Sequence, residues 1–250
     1  MADNSYYGCC ACIGAAGIGL VPKMQTLVSK NGITLNLYIA GNVNISLQNG
    51  AKIGITTETD YPKSGDIKLR ICTPKPEKFT LSLRIPAWSK STNIAVNGTP
   101  CEVFAGYTDI CREFSDGDVI DISLDMRTEI IRPTPYGEQT LINEVLWGEN
   151  RMIATHDIED PIAKRHVALR RGPIMLAEDE RLGYSTDTPV TVAADSDGYA
   201  VVEPVSISEY PSIFAARVAL SDGSIVLTDY ASAGKDWNNG KKLAVWLLTN

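Results

Sequence analysis

The 250-residue sequence predicts an all-β protein: two antiparallel β-sandwich, jelly-roll-like domains preceded by one N-terminal helix. Three observations carry that prediction. Asn-Gly at 31, 49, 97 and 239 and Asp-Gly at 116, 197 and 222 are dipeptides that accept positive φ in two-residue hairpin turns. Between them lie short runs of strand composition, several alternating apolar with polar residues. Helical periodicity is nearly absent.

In chain order, only ACIGAAGIGLVPKMQTLVSK, from Ala11, has helical length, with Ile13, Ala16, Leu20, Met24 and Leu27 on a rough three-to-four spacing. It is a weak helix alone, because three glycines each cost about 1 kcal/mol against alanine and Pro22 interrupts the backbone ladder. Strands are expected at TLNLYIA (from Thr34), VNISL (Val43), AKIGITTET (Ala51), DIKLRICT (Asp66), FTLSLRIPAW (Phe79), DVIDISLDM (Asp118) and SIVLTDYA (Ser224). In TLSLRI, Leu81, Leu83 and Ile85 share one face while Ser82 and Arg84 share the other, the pattern of a half-buried strand.

Two prolines and a glycine in RPTPYGEQT (Arg132 to Thr140) mark a domain crossing. We expect a helical segment over 1–30, a first sandwich over 31–135 completed by 231–250, and a second over 136–230. The irregular, charged stretch 143–165 reads as a long surface loop.

Composition is that of a soluble globular protein, 44% apolar and 21% charged. The net charge of −7 argues against nucleic acid or an anionic membrane as partner, and the doublets Arg170/Arg171 and Lys241/Lys242 read as solvated surface. The longest apolar run, Ile13 to Pro22, is far short of the roughly 20 residues that span a bilayer. MADNSYYG lacks the positive start of a secretory leader. Six cysteines (9, 10, 12, 72, 101 and 111) are few, and the adjacent pair cannot comfortably close on itself. Reduced thiols and a cytoplasmic setting are the expectation.

Several motifs have ordinary explanations. GAAGIG (Gly14 to Gly19) lacks both the glycine order and the βαβ context of a dinucleotide site. His156 and His166 show neither ligand spacing nor a neighbouring thiol. The acidic runs Asp157, Glu159, Asp160 and Glu178, Asp179, Glu180 are candidates for a carboxylate pair in glycoside hydrolysis, but the solvated-face reading wins in a chain with 30 acids. Trp88 and Trp246 sit in strand patterns and read as core, whereas Trp237, in SAGKDWNNG, is the best candidate for an exposed sugar-stacking face. The triplet Cys9, Cys10 and Cys12 resists such dismissal: thiols at a helix start gain from its positive end, which lowers their pKa and favours metal binding or nucleophilic attack. A short loop does not fill a tetrahedral zinc site, so further ligands must come from elsewhere.

The paired Cys9 and Cys10 before a helix, then NGITLNLYIAG, YPKSGDIKLRI, FTLSLRIPAWS with IAVNG, GYTDICREFSDGDVIDISLDM, VALRRGPIMLAED and LTDYASAG…W…LAVWL, together resemble the retaining β-L-arabinofuranosidases of glycoside hydrolase family 127. That resemblance implies an (α/α)6 catalytic barrel followed by β-sandwiches, of which this chain would hold the barrel's last helix and the sandwiches. It further implies Cys9 as nucleophile and zinc ligand, attacking the anomeric carbon to give a thioglycosyl intermediate that water opens with retention, and Cys10 as a second zinc ligand. The remaining glutamate and cysteine ligands and the acid/base residues would lie on the barrel. The chain alone would then be inactive, would not hold zinc stably, and would act on an L-arabinose-containing glycan only with the barrel as partner. One departure is that relatives continue the pair with PPN and an arginine where this sequence reads ACIGAAGIG, which leaves the sugar open.

Two other readings compete. One is a stand-alone carbohydrate-binding or assembly module using Trp237; the other is an independent metal or redox protein built on CCAC. A homodimer through the exposed helix face is a further expectation.

Overall fold

The computed structural model describes residues 8–133, 142–146, 149–153, 163–208, 211–235 and 240–250, with backbone only for 8–11, 142–146, 149–153 and 163. The chain divides into two compact units, Met1–Met126 and Arg127–Asn250.

The first unit opens with α1 (Gly8–Gln25), which runs through Pro22. The expected helical stretch ends earlier than its composition suggests. Thr26–Val28 forms strand β1, because the β-branched Thr26 and Val28 find an antiparallel partner in β2 (Gly32–Leu35). Eight strands follow: β3 (Gly41–Ser46), β4 (Lys52–Thr59), β5 (Asp66–Cys72), β6 (Glu77–Ile85), β7 (Asn93–Val96), β8 (Thr99–Cys101), β9 (Gly106–Phe114) and β10 (Val119–Ser123). They form a four-stranded sheet, β1-β2-β6-β9, and a six-stranded sheet, β3-β4-β5-β10-β7-β8. All pairings are antiparallel except β2 with β6, which is parallel.

Alternation explains why the two sheets share a core. Phe79, Leu81, Leu83 and Ile85 of β6 are buried, as are Ile67, Leu69 and Ile71 of β5 and Ile120 and Ile122 of β10, and all belong to one cluster. Phe79 stacks on Phe114 with ring centroids 4.5 Å apart. Each such side chain contributes about 1.5–3 kcal/mol. The turn dipeptides act as expected at Asn97-Gly98, where φ is +49° and +78° between β7 and β8, a conformation suited to a two-residue hairpin.

The second unit contains β11 (Thr128–Ile131), β12 (Ile142–Leu146), β13 (Glu149–Ile153), β14 (His166–Arg171), β15 (Ile174–Asp179), β16 (Tyr199–Ala200), β17 (Val202–Val205), β18 (Ala215–Leu220), β19 (Gly223–Asp229), β20 (Leu243–Ala244) and β21 (Trp246–Leu248). Nine of them make one sheet, β16-β11-β14-β15-β19-β18-β17, with β20 on β15 and β21 on β14. Leu169, Leu176, Ala216, Val218 and Leu227 anchor its core.

Three boundaries differ from expectation. The crossing falls at Met126–Arg127, ahead of the prolines, because Leu124 still donates its N–H to Gly65 O (3.0 Å) while Thr128 already pairs with Arg171. The last strands do not complete the first sandwich: β20 and β21 pair with Glu178–Asp179 and His166–Ala168, whose edges they satisfy. The supposed surface loop 143–165 contains the β12–β13 hairpin and a 3-10 turn over Ala163–Arg165.

Candidate functional site

Helix α1 begins at Gly8, which places Cys9 and Cys10 in its first turn, where unpaired N–H groups and the helix dipole favour a thiolate. The helix is tied to the sandwich at its other end. Asn36 Nδ2 donates to Met24 O (3.1 Å), the Asn36 N–H to Gln25 O (2.9 Å), and Tyr107 Oη donates to Asn36 Oδ1 (2.6 Å). The shaft is bare: Ile13 is 73% and Ile18 76% exposed, Leu20 and Met24 are exposed as well, and a Cβ built at Gly14, Gly17 or Gly19 would meet nothing within 4 Å. A face of small and apolar residues left open by the described residues is the opposite of what burial free energy selects.

Two thiols supply half of a tetrahedral zinc site. Among the described residues no group of three or more His, Cys, Asp or Glu gathers that could hold a metal ion. Cys12, Cys72 and Cys111 are exposed and Cys101 half-buried, and all four are free thiols. Strand alternation puts Cys72 and Cys111 on solvent faces.

The acidic run at 178–180 is not a solvated face. Glu178 is 2% and Asp179 1% exposed on β15, and Asp229 is also buried. Asp179 Oδ2 accepts the Gly234 N–H (2.9 Å), and its carboxylate takes Arg181 Nε and Nη2 in a forked pair. Burial opposes its ionisation, but the Arg181 side chain and the N–H groups of Gly234 and Arg181 outweigh that and hold it below the usual aspartate range. Asp229 accepts from the N–H groups of Ile213 (2.8 Å), Phe214 (3.2 Å) and Ser232 (2.9 Å). Burial pushes the Glu178 carboxyl up, with the carboxylates of Glu180 and Asp187 adding to it. As consecutive strand residues, Glu178 and Asp179 project to opposite faces, so they cannot flank one glycosidic bond. Asp179 and Asp229 organise loops through the N–H groups they accept.

Two further expectations change. Trp246 is 44% exposed rather than core, while Trp88 packs partly buried against the first core. Arg171 is not solvated surface: its guanidinium lies over Phe214, 5.0 Å from the ring centroid, and burial lowers its pKa. His166 sits on β14 opposite Leu248. His156, Trp147, Trp237 and the acids 157, 159 and 160 lie outside the described residues. The Asn36–Tyr107 anchor was missed; the residues are 71 apart, and only the register of the four-stranded sheet brings them together.

With this geometry in hand, comparison with known proteins gives a consistent answer. Residues 32–126 match the family description "Beta-L-arabinofuranosidase, GH127 middle domain". The fold is shared with a GH127 β-L-arabinofuranosidase from Geobacillus stearothermophilus T6, at TM-score 0.69 and 20% identity, over 98% of this chain and 38% of that one. A protein described as a glycoside hydrolase matches at 0.70 and 19%, over 100% and 43%, and one described as a GH127 β-arabinofuranosidase at 0.73 and 21%, over 98% and 39%. The chain thus spans about two fifths of the length of these structures. No curated protein matches it in sequence. Residues 32–126 of the first unit thus match a GH127 middle-domain description, and the chain shares the fold of part of these structures.

Proposed function

We propose that this chain is the β-sandwich portion of a retaining glycoside hydrolase acting on L-arabinofuranosyl linkages, and that α1 brings two cysteines to an active site completed by a helical partner. The observation that carries the reading is the match of residues 32–126 to a GH127 middle domain together with a preceding helix whose apolar residues are exposed among the described residues. Zinc, held by Cys9 and Cys10 together with ligands from that partner, would keep a thiol ionised at neutral pH. In this reading Cys9 is the nucleophile: its sulfur forms a bond to the anomeric carbon as the glycosidic oxygen leaves, and a water later reopens that bond with net retention. The sandwich ties down the C-terminal end of α1 through Asn36, itself held by Tyr107.

The test is hydrolysis of a nitrophenyl β-L-arabinofuranoside, with zinc content, for the chain alone and after mixing with a separately expressed helical barrel of the same family. No turnover alone and turnover on mixing, abolished by Cys9→Ser, is expected. Turnover and stoichiometric zinc in the chain alone would overturn the proposal.

A further inference from the structure

The first unit carries a groove of about 760 Å³ on the outer face of its six-stranded sheet. Its floor follows from strand register. Glu58 on β4 lies opposite Lys68 on β5, Lys68 opposite Asp121 on β10, Asp121 opposite Ala95 on β7, and Ala95 opposite Pro100 on β8. These five residues therefore form one straight row across five strands, about 19 Å long at the usual strand spacing. A second row, Asp66, Ser123 and Asn93, runs beside it. Ala95 is the low point, between the taller Asp121 and the ring of Pro100.

The groove's chemistry selects a class of ligand. Its polar groups are already oriented. Asp66 accepts from Ser64 Oγ (3.0 Å) and Ser123 Oγ (3.2 Å), Lys68 Nζ stands 3.6 Å from Asp121 Oδ1, and Arg70 Nε donates to Glu58 Oε1 (2.7 Å). Three carboxylates, an amide and hydroxyls offer mostly acceptors, with Lys68 and Asn93 as donors. The excess of carboxylates repels polyanions such as nucleic acid or acidic polysaccharide. The methyl of Ala95 and the ring of Pro100 offer a small apolar floor suited to the C–H faces of a sugar ring, while its hydroxyls meet the acceptors on either side. The length favours several units over one. With no aromatic side chain lining it, the groove lacks a stacking platform, so binding belongs in the millimolar to high micromolar range.

We propose that this groove, centred on Lys68, Ala95 and Asp121, binds a neutral oligosaccharide chain and so gives the hydrolase a substrate contact apart from the cysteine-bearing helix. The choice of arabinose units as ligand rests on the function proposed above; the groove itself asks only for a neutral, hydroxyl-rich chain.

The experiment is an amide chemical-shift titration of the full chain with a linear arabino-oligosaccharide, a xylo-oligosaccharide and oligogalacturonate. Saturable shifts centred on Lys68, Ala95 and Asp121 with a neutral oligosaccharide, absent with oligogalacturonate, are expected. Ala95→Leu, which fills the low point of a solvent-facing surface, should weaken binding at least tenfold with the rest of the spectrum unchanged, and Lys68→Ala should weaken it less. Binding of the xylo-oligosaccharide alone would support the groove and count against arabinose as its sugar. No saturable shift at about 10 mM of any neutral oligosaccharide, shifts centred elsewhere, or full binding by Ala95→Leu would overturn the proposal. None of these outcomes depends on turnover with the barrel, so failure of the catalytic reading is seen separately.

Discussion

Glu178 and Asp179 are consecutive residues of one strand, both almost wholly buried, and their acidities move in opposite directions. Burial raises the pKa of Glu178, reinforced by Glu180 and Asp187, whereas around Asp179 the donors of Arg181 and Gly234 win over burial. The fold therefore favours protonation at Glu178 and ionisation at Asp179 relative to an ordinary carboxyl of each kind.

For Glu178 the folded pKa is raised, so its contribution to stability is fully present below the ordinary glutamate value of 4.5 and is lost as pH rises through the folded value. Glu178→Gln keeps the shape without the charge. Thermal melts should show the variant more stable than the parent at pH 7, with the gap closing as pH falls toward 4.5. An equal or lower melting temperature at pH 7 contradicts this account.

For Asp179 the folded pKa is depressed, so its stabilisation is present above the ordinary aspartate value of 3.8 and lost as pH falls through the folded one. Asp179→Ala strands a buried guanidinium and the Gly234 N–H, which should cost about 3 kcal/mol in denaturant melts at neutral pH. A cost under ~1 kcal/mol would show the pair to be dispensable.

Gly65 is required by close approach rather than by φ. A Cβ there would lie 2.3 Å from Leu124 O and 2.8 Å from Met126 Cγ, the first of them backbone. Gly65→Ala should destabilise the first unit by roughly 2 kcal/mol or more, read from urea melts, because the Leu124 N–H bond to Gly65 O must lengthen. A neutral result would mean that the end of β10 shifts freely.

The anchor of α1 predicts a local effect. Asn36→Ala removes the donor to Met24 O and the acceptor of Tyr107 Oη, about 1 kcal/mol each in exposed surroundings at most. Protease cleavage within residues 12–25 should accelerate severalfold while the global melt changes little. Unchanged cleavage would place the anchor elsewhere.

Much of the first sandwich was legible because its information is local. Alternation at Leu81, Leu83 and Ile85 names the buried face of β6 without any partner, and Asn97-Gly98 names its own turn, since period-two side-chain geometry and positive φ are properties of a few residues. The orphan character of α1 was visible in the same way, from glycines and apolar residues with no second helix to receive them. Sequence could also nominate Cys9 and Cys10, since a thiol pair at a helix start is a local pattern.

What strand pairs with what is not local. Nothing in WLL says that Trp246–Leu248 pairs with His166–Ala168 rather than closing the first sandwich, and that pairing leaves Trp246 on the open face. Nor does AEDE say that two of its acids are buried, because donors 2 and 55 residues away from Asp179 decide it. The row from Glu58 to Pro100 exists only once five strands are in register. The amino-acid sequence by itself determined the all-β class, strands β3 to β6 and β10 of the first sandwich and the exposed apolar helix, through short-range backbone and burial preferences. Only the tertiary structure decided the unit boundary, the buried carboxylates and the groove, because long-range hydrogen-bond register sets which distant residues share water and which exclude it.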